Sequence, residues 1–390
     1  MDHALVKHDS KPALQQPEWS SAAQLARVRR ELAGRPPLVR ASDTRTLRSL
    51  LARVAGGEAT VLQCGDCSED PDECTAEYVG RKHALLDMLA GAMKMATYGP
   101  VLRVGRLAGQ FGKPRSNATE LVGGIELPVY RGHMVNAPDP DAESRRADPL
   151  RLLTGYMAAN DIVEHLGWRR TAARRCMEPP VWTSHEALLL DYEIPMIRTD
   201  GNGSRLLTST HWPWVGERTR EVDGAHVSLL AGIDNPVACK LGPKAEVDDV
   251  LGLCERLDPD RDPGRLTFIV RMGARSVAER LPDLVSAVRQ AGHPVIWLCD
   301  PMHGNTVTTT SGWKTRYVTE MVLEVEAFLD AVRSSGGVAG GMHLETTPDP
   351  VTECVADESE TDRVGTYYTS FCDPRLNPDQ AVRVVSAWRR

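Results

Sequence analysis

The stretch VIWLCDPMHGNT, residues 295–306, contains an apolar run that stops abruptly at a cluster of polar side chains. Its first four residues predict a short buried strand, because a continuous apolar run bounded by turn residues is typical of parallel sheets. Asp300, His303 and Asn305 follow directly, and Gly304 lets the backbone turn tightly. The stretch therefore predicts a strand that ends in functional groups, as strands do in parallel α/β folds.

The same change from an apolar run to a polar or glycine-rich motif recurs along the chain. Helix-like stretches, such as residues 75–96, 278–290 and 319–334, separate most of the runs. This alternation predicts a parallel α/β protein, and a count near eight favours a (β/α)8 TIM barrel over an open doubly wound sheet. The runs are residues 60–62, 101–104, 227–230, 237–239, 266–270, 295–298 and 338–340.

The chain before the first run predicts a short N-terminal helical extension. Helical patterns cover residues 22–32 and 44–54, and a Gly-Arg-Pro-Pro turn separates them. Residues 1–20 are polar and interrupted by proline, so we expect an arm with little structure of its own. We predict an N-terminal arm and helix over residues 1–45 and the barrel over residues 46–390.

The composition is that of a globular protein and argues against several functional classes. The 390 residues carry a formal net charge of −7, so we expect no nucleic-acid partner. No window approaches the roughly 18 uninterrupted apolar residues of a membrane span, and the N-terminus lacks the apolar stretch of a secretory signal. The nine cysteines are scattered and odd in number, which indicates reduced thiols and a cytoplasmic location.

Cysteine, histidine and carboxylate side chains follow several of the predicted strands. VLQCGDCSED, residues 61–70, has two cysteines at CxxC spacing, which fits a redox pair, half a zinc site, or one metal-binding thiolate beside an unrelated neighbour. GGMHLETT (340–347) and YYTSFCDPRLN (367–377) add carboxylates. A mixed set of sulfur, nitrogen and oxygen donors suits Mn, Co, Fe or Zn better than Mg or Ca. The predicted metal ligands are Cys67, His303, Glu345 and Asp373.

Six cationic side chains mostly lie in or just after strand-like runs. Charges at the inner rim of a barrel are costly unless they meet an anion or a counter-charge. Ion pairs between loops are one explanation, and Glu217 beside Arg218 is a candidate for such a pair. Six cations in this placement favour two anionic substrates, because guanidinium binds phosphate and carboxylate bidentately. The cations are Arg106, Arg115, Arg218, Lys240, Arg271 and Lys314.

Eleven motifs, in one order, carry a resemblance to a known family. They are GDC, GRLAGQFGKPRS, SHEALLLDYE, GERTREVDGAH, NPVACKLGP, RMG, WLCDPMHGNT, GWKTR, GGMHLETT, TEC and CDPRLN. From about residue 45 to the C-terminus, the chain resembles the type II 3-deoxy-D-arabino-heptulosonate 7-phosphate (DAHP) synthases. The resemblance implies a (β/α)8 enzyme that condenses phosphoenolpyruvate with erythrose 4-phosphate and water, and releases phosphate. It also implies a divalent metal, Mn2+ or Co2+ first and Zn2+ or Fe2+ as alternatives.

The resemblance also assigns roles to individual residues. The four predicted metal ligands coincide with those of the family, whose metal would act as a Lewis acid on the aldehyde. The positions that would hold phosphoenolpyruvate are Arg106, Glu217, Arg218, Lys240 and Arg271. Those that would bind erythrose 4-phosphate are Lys113, Arg115, Ser116, Asn305 and Lys314. The expected catalytic groups are Arg106, Lys113, Lys240 and His303, with Lys113 or a nearby water handling the proton at the aldehyde.

The chain is shorter than many members of the family. Its N-terminal arm is short and the segment from about residue 148 to 180 is compact, where longer members carry helices for interfaces and aromatic amino-acid sites. We therefore expect weak feedback inhibition by Phe, Tyr or Trp, and a role in a secondary-metabolite pathway such as phenazine synthesis. A homo-oligomer, namely a dimer, is expected, with chorismate mutase as a candidate partner.

Two other functions stay open at this point. One is a synthase of the same fold that uses an amino-substituted aldose phosphate and makes amino-DAHP. The KPRS and WKTR motifs favour a phosphorylated four-carbon aldehyde, but they do not read its distant substituents. The other is a non-catalytic binding partner of chorismate mutase. A degenerate homologue of that kind would be expected to lose a ligand or a phosphate-binding cation, and none is missing.

The two cysteines of the CxxC stretch then take different roles. Cys67 is the expected thiolate ligand, whereas Cys64 is expected to pack within the strand. Cys372 directly precedes Asp373, so we expect it close to Cys67. Oxidation would then join Cys67 to Cys372 and expel the metal.

Overall fold

Eight parallel strands form a closed barrel in the computed structural model, which describes residues 11–169, 181–201 and 203–389. The strands follow one another around the barrel in chain order, and the last pairs with the first. The predicted TIM barrel with an N-terminal helical extension is therefore confirmed. The strands are β1 (Thr60–Gly65), β2 (Val101–Arg106), β3 (Trp182–Glu186), β4 (Trp212–Val215), β5 (Val237–Leu241), β6 (Leu266–Val270), β7 (Ile296–Cys299) and β8 (Val338–Glu345).

Helices precede, connect and follow the strands, as expected for this architecture. Within the described residues they are α1 (Ala22–Gly34), α2 (Ala41–Ala55), α3 (Ala76–Thr97), α4 (Arg151–His165), α5 (Leu190–Glu193), α6 (Ala225–Ala231), α7 (Val247–Leu257), α8 (Ala274–Gln290), α9 (Val318–Ser334) and α10 (Pro378–Val385). Short 3-10 helices cover Pro71–Glu73, Ile194–Met196, Glu217–Thr219 and Glu358–Arg363. Antiparallel pairs join Thr119–Val122 to Ile125–Pro128, Ile197–Thr199 to Arg205–Leu207, and Val307–Thr308 to Lys314–Thr315.

The local sequence explains why these elements form. All five residues of β6 are buried, as expected for a strand covered on both faces. Helix α8 buries Val277, Leu281, Leu284, Val285 and Val288, whose spacing places them on one face of a helix. No helix within the described residues combines the length and the apolar character that crossing a membrane requires.

Contacts divide the chain into two compact units. The first comprises the described residues of Met1–Thr44, Ser68–Gly80 and Leu107–Asn235, and it contains β3 and β4. Residues 11–20 of its N-terminal arm form no helix or strand, in agreement with an arm that has little structure of its own, but hydrogen bonds attach the arm to the rest of the unit. The amide of Ala225 donates to the carbonyl of Pro12 at 3.0 Å, and the side chain of Gln16 donates to the carbonyl of Leu188 at 2.8 Å. These hydrogen bonds explain why a polar segment is ordered.

The second unit contains the other six barrel strands. It comprises Arg45–Cys67, Arg81–Arg106 and Pro236–Arg390. Here the predicted runs match strands, and each strand ends at a polar motif of the kind expected from the sequence. The predicted division at residues 45 and 46 stays a prediction.

Two barrel strands were missed and one predicted strand was wrong. Residues 227–230 lie in helix α6. This short helix is buried on all sides, so its apolar run resembles that of a buried strand. The strands that the prediction lacked are β3 and β4. Strand β3 has the sequence WTSHE, whose polar side chains hide the apolar signal, and β4 contains Pro213, which disfavours a strand.

Candidate active site

Three of the predicted metal ligands lie together in the second unit. His303 follows β7, Glu345 is the last residue of β8, and Asp373 precedes α10. One ligand atom from each lies within 4.8 Å of the other two, in the group His303, Glu345 and Asp373. An imidazole and two carboxylates at such distances can hold a divalent transition metal.

Cys67, the fourth predicted ligand, lies beside this group although it is not one of the three. Its buried sulfur accepts a hydrogen bond from the amide of Asp373 at 3.4 Å and is 3.4 Å from the hydroxyl of Ser370. Both Cys67 and Cys372 are free thiols. Their oxidation to a disulfide stays a prediction, as does the role of Cys67 as a ligand.

Asp300 orients the imidazole of His303. Its Oδ2 lies 2.8 Å from Nδ1 of His303, and the other ring nitrogen, Nε2, lies 3.0 Å from Oε1 of Glu345. Burial lowers the pKa of His303, which favours the neutral imidazole that binds metals. Burial alone would raise the pKa of Asp300, but its interactions with His303 and the charge of Lys240 hold that pKa well below its ordinary value. Asp300 is therefore a carboxylate that fixes the ring orientation.

Glu345 lies between two buried guanidinium groups. Arg316 donates to its Oε2 at 2.7 Å, and Arg106 donates to its Oε1 at 3.0 Å. Arg316 also donates to the carbonyl of Pro374 at 2.5 Å, so the same arginine contacts the segment that carries Asp373. A carboxylate held by two arginines is ionised and fixed in direction.

Arg106 is itself held by a chain of buried side chains. Its Nη1 lies 2.7 Å from Nε2 of His343, and Nδ1 of that ring lies 2.6 Å from Oε1 of Gln63. Burial lowers the pKa of His343 well below its ordinary value, and the charges of Lys240 and Arg106 lower it further. A neutral His343 can accept from Arg106 while it donates to Gln63.

The other predicted cations of the second unit surround the group of three. Lys240 pairs with Asp300 at 3.0 Å, and Lys314 pairs with Asp373 at 3.0 Å. Arg271 donates to the carbonyl oxygen of His303 at 2.5 Å. These cations follow or end different strands, yet each contacts a residue at or beside the three candidate ligands.

Glu324 is a buried carboxyl group that the sequence prediction missed. It accepts hydrogen bonds from the amide of Gly273 at 2.8 Å and from Asn305 Nδ2 at 2.6 Å, so it joins the loops after β6 and β7. Burial raises its pKa to about 7. One signal was available in the sequence, since Glu324 lies among Met321 and Val325 on the apolar face of its helix.

A second buried network fixes the segment around Asp373 and was also missed. Arg375 pairs with Glu353 and with Asp66, both at 2.8 Å, and Asp66 also pairs with Lys82 at 2.6 Å. Glu353 accepts from the backbone amides of residues 369, 370 and 375. Asp66 directly precedes Cys67, and Arg375 lies two residues after Asp373. This network therefore holds both residues of the hydrogen bond between Asp373 and Cys67 in place.

The remaining predicted site residues lie in the first unit. Arg218 is exposed and donates to the hydroxyl of Ser116 at 2.7 Å, and Glu217 pairs with Arg220 at 3.0 Å. Arg115 pairs with Glu120 at 2.9 Å. The buried Lys113 donates its backbone amide to the carbonyl of residue 131. The structure thus brings Ser116 and Arg218 together within this unit.

Comparison with known proteins gives a consistent result. The sequence matches the Class-II DAHP synthetase family over residues 4–166 and 158–387. It is 57% identical to the "Probable phospho-2-dehydro-3-deoxyheptonate aldolase" of Pseudomonas fluorescens, over 97% of this chain and 94% of that protein.

Two further relatives are more distant. The "Phospho-2-dehydro-3-deoxyheptonate aldolase" of Streptomyces coelicolor is 39% identical, over 95% of this chain and 93% of that protein. The "Phospho-2-dehydro-3-deoxyheptonate aldolase AroG" of Mycolicibacterium smegmatis is 37% identical, over 99% of this chain and 93% of that protein. This chain is therefore an enzyme that belongs to the Class-II DAHP synthetase family.

Proposed function

We propose that the enzyme condenses phosphoenolpyruvate with erythrose 4-phosphate and water, giving DAHP and phosphate. One observation supports this most directly. His303, Glu345 and Asp373 form a candidate metal group, and four cations that match the family's substrate positions surround it. A metal group ringed by cations fits a reaction between two anions, one of which carries an aldehyde.

The donor set fits a divalent metal such as Mn2+ or Co2+, with Zn2+ or Fe2+ as alternatives. We propose His303, Glu345, Asp373 and Cys67 as its ligands. When bound, the metal would polarise the aldehyde oxygen of the sugar phosphate. The protein's own contribution is the orientation of the donors: Asp300 directs Nε2 of His303, and Arg316 holds Glu345.

The surrounding cations would bind phosphoenolpyruvate through its phosphate and carboxylate groups. Arg106 and Lys240 are buried, and Arg271 is partly buried. Buried cations interact strongly with an anion because little water screens them. Each is already oriented by a protein partner, so little rearrangement is needed when the substrate arrives. These groups would position two mutually repelling anions and stabilise the charge that develops during the reaction.

One buried donor supports an anionic ligand independently. Nη2 of Arg316 is buried and has no hydrogen-bond partner among the residues that the structure describes. Leaving a charged donor unsatisfied is costly, so a water or an anion oxygen should complete its contacts. Arg316 was not among the predicted site residues, although it lies in the WKTR motif two residues after the predicted Lys314.

We further propose that Lys113, Arg115 and Ser116 bind erythrose 4-phosphate together with Asn305 and Lys314, as the resemblance implies. Lys113 or a nearby water would handle the proton at the aldehyde. Glu217 and Arg218 would serve phosphoenolpyruvate. Within the first unit, the hydrogen bond between Arg218 and Ser116 supports a shared anion site.

We propose that the enzyme is a weakly regulated form that serves secondary metabolism in the cytoplasm. Sequence length supports a short form. The alignment with the Streptomyces coelicolor protein spans 419 positions, more than the 390 residues of this chain, so that relative contains segments absent here. The alignment with the Pseudomonas fluorescens protein spans 378 positions. Strong inhibition by micromolar Phe, Tyr or Trp, alone or combined, would contradict this proposal.

A substrate assay tests the main proposal. Metal-stripped enzyme is mixed with phosphoenolpyruvate and one of several aldose phosphates, including an amino-substituted one, and Mn2+, Co2+ or Zn2+ is added back. We expect phosphoenolpyruvate to be consumed with erythrose 4-phosphate only when a metal is present. No consumption with that aldehyde under any metal would overturn the proposal. Consumption with the amino-substituted sugar alone would establish the amino-DAHP alternative.

A further inference from the structure

The N-terminal arm reaches the loop that carries the KPRS motif. Gln15 lies 100 residues before Arg115 in the chain, yet its Oε1 accepts a hydrogen bond from the backbone amide of Arg115 at 2.9 Å. The hydrogen bonds of Pro12 and Gln16 anchor the arm on either side of this contact. Gln15 is therefore held at a fixed point of a loop to which the resemblance assigns substrate binding.

Gln15 also holds a cation that was not among the predicted site residues. Nη2 of Arg131 donates to the backbone carbonyl of Gln15 at 2.9 Å. The carbonyl of Arg131 in turn accepts a hydrogen bond from the backbone amide of Lys113 at 2.8 Å. Pro114 has no amide hydrogen, so Arg131 and Gln15 accept both of the amide hydrogens between Lys113 and Arg115. Gln15 thus joins Arg115 through its side chain and Arg131 through its main chain.

The backbone of Gln15 adopts an unusual conformation to make these two contacts. Its φ of 62° lies in the left-handed region, which is unfavourable for a residue other than glycine. Such a conformation persists only where the surrounding structure holds it, and it is found most often at functional sites. Here the contacts that hold it include the hydrogen bonds from Arg115 and Arg131.

The charges around Arg131 favour a bound anion. Arg131 is partly buried, and it pairs with no carboxylate among the residues that the structure describes. Burial lowers the pKa of Arg131, and the nearby charge of Arg115 lowers it further. Arg115 pairs with Glu120 at 2.9 Å, but Glu120 also pairs with Arg145. Two partly buried cations placed near each other are unfavourable unless an anion completes the group.

We propose that Arg115 and Arg131 together bind the phosphate group of erythrose 4-phosphate, and that Gln15 is the positioning residue that holds the two arginines together. This inference rests on the proposed function, which supplies the sugar phosphate. Guanidinium groups bind phosphate oxygens through paired hydrogen bonds, and one phosphate has enough oxygens for two of them. Gln15 acts through the arginines and does not contact the substrate. The N-terminal arm is thereby a component of the substrate site.

Steady-state kinetics of the full-length, Mn2+-loaded enzyme test the role of Gln15. Gln15→Met keeps the length of the side chain but removes the acceptor for the Arg115 amide. We expect the KM for erythrose 4-phosphate to rise about tenfold, while kcat and the KM for phosphoenolpyruvate stay within about twofold, because only the binding of one phosphate is weakened. Glu18→Met, at an exposed position of the same arm, is the matched control and should match wild type.

Inorganic phosphate provides a second measurement of the same site. At saturating phosphoenolpyruvate, its inhibition constant against erythrose 4-phosphate should rise in Gln15→Met by the same factor as the KM. A residue that only stabilises the fold would not change these two constants together while kcat stays constant. Thermal unfolding of each variant checks that the enzyme is folded at the assay temperature.

Two substitutions of Arg131 test its contact with the phosphate. Arg131→Met should raise the KM for erythrose 4-phosphate about 30-fold or more, since a charged hydrogen-bond donor is lost. Arg131→Lys should recover part of this loss, because it keeps the charge but not the planar pair of donors.

The outcomes separate this inference from the proposed function. A wild type that does not consume phosphoenolpyruvate with erythrose 4-phosphate would overturn both. With an active wild type, an unchanged KM for erythrose 4-phosphate in Gln15→Met or in Arg131→Met would overturn this inference alone. A rise of the same size in the KM for phosphoenolpyruvate would also overturn it, because the arginines would then serve the other substrate.

Discussion

The two groups of predicted site residues are held in different ways. In the second unit, Glu345 and Asp300 are fully buried: Glu345 contacts two arginines, and Asp300 contacts Lys240 and the imidazole of His303. In the first unit, Ser116 and Arg218 are exposed and share a single hydrogen bond. Buried ion pairs fix geometry but leave an expensive charge when one partner is removed, whereas exposed contacts form and break at little cost. We therefore expect the second group to be preorganised and the first to adapt to the substrate.

The largest effect is expected for Glu345→Gln. The substitution keeps the shape of the side chain but removes its negative charge. That charge is contacted by two buried arginines and would also help to bind the metal. We expect kcat to fall about 10³-fold or more, since a buried charged contact at the reacting centre is lost. Calorimetric titration with Mn2+ should show weaker binding in the same variant. The exposed Glu326→Gln serves as the control, and activity within tenfold of wild type would show that Glu345 is not part of the centre.

Glu324 should make stability depend on pH. Burial raises its pKa from an ordinary 4.5 to about 7, so the folded chain binds more protons than the unfolded chain between these values. Stability therefore falls as pH rises through this window, by up to about 3 kcal/mol from this one group. In Glu324→Gln this contribution disappears, so the difference in unfolding free energy between wild type and variant should shrink or reverse from pH 5 to pH 8.

Chemical denaturation at several pH values measures this difference. Glu326→Gln, two residues further on the same helix but exposed, should follow the wild type at every pH. Parallel curves for wild type and Glu324→Gln would mean that the hydrogen bonds from Gly273 and Asn305 keep Glu324 ionised throughout.

A smaller effect is expected for Asp300→Asn. The amide can still contact His303, but it no longer holds Nδ1 as a charged acceptor, and Lys240 loses its counter-charge. Supporting residues of this kind typically contribute about 10- to 100-fold to metal affinity or activity. The metal concentration that gives half-maximal activity should rise by that factor, and saturating metal should recover part of the rate. A rate that is low and independent of metal concentration would point to Lys240 instead.

The proximity of His303, Glu345 and Asp373 could be predicted from the sequence, and the reason is local. His303, Glu345 and Asp373 each follow an apolar run or strand end, so adjacency in the chain locates them at one end of the barrel. The residues that hold them were harder to predict, because Arg316 contacts Glu345, and Glu353 contacts the segment around Asp373, across separations of 29 and 17 residues in the chain. Strands β3 and β4 were missed for a similar reason. The polar residues of β3 and Pro213 in β4 interrupt the apolar run that is typical of a buried strand, and only the folded structure shows that these residues are buried.

The smallest effect is expected for Ser116→Ala, which tests the exposed site residues of the first unit. The hydroxyl accepts one hydrogen bond, from the exposed Arg218 at 2.7 Å, so its loss leaves no buried charge. A single exposed hydrogen bond contributes about 0.5–1.5 kcal/mol, and we expect the KM for erythrose 4-phosphate to rise about three- to tenfold at unchanged kcat. Thermal stability should match that of wild type and of the exposed control Asn117→Ala. If Ser116→Ala instead lowered kcat as strongly as Asp300→Asn, the first group would also be preorganised for the reaction, and the contrast between the two groups would disappear.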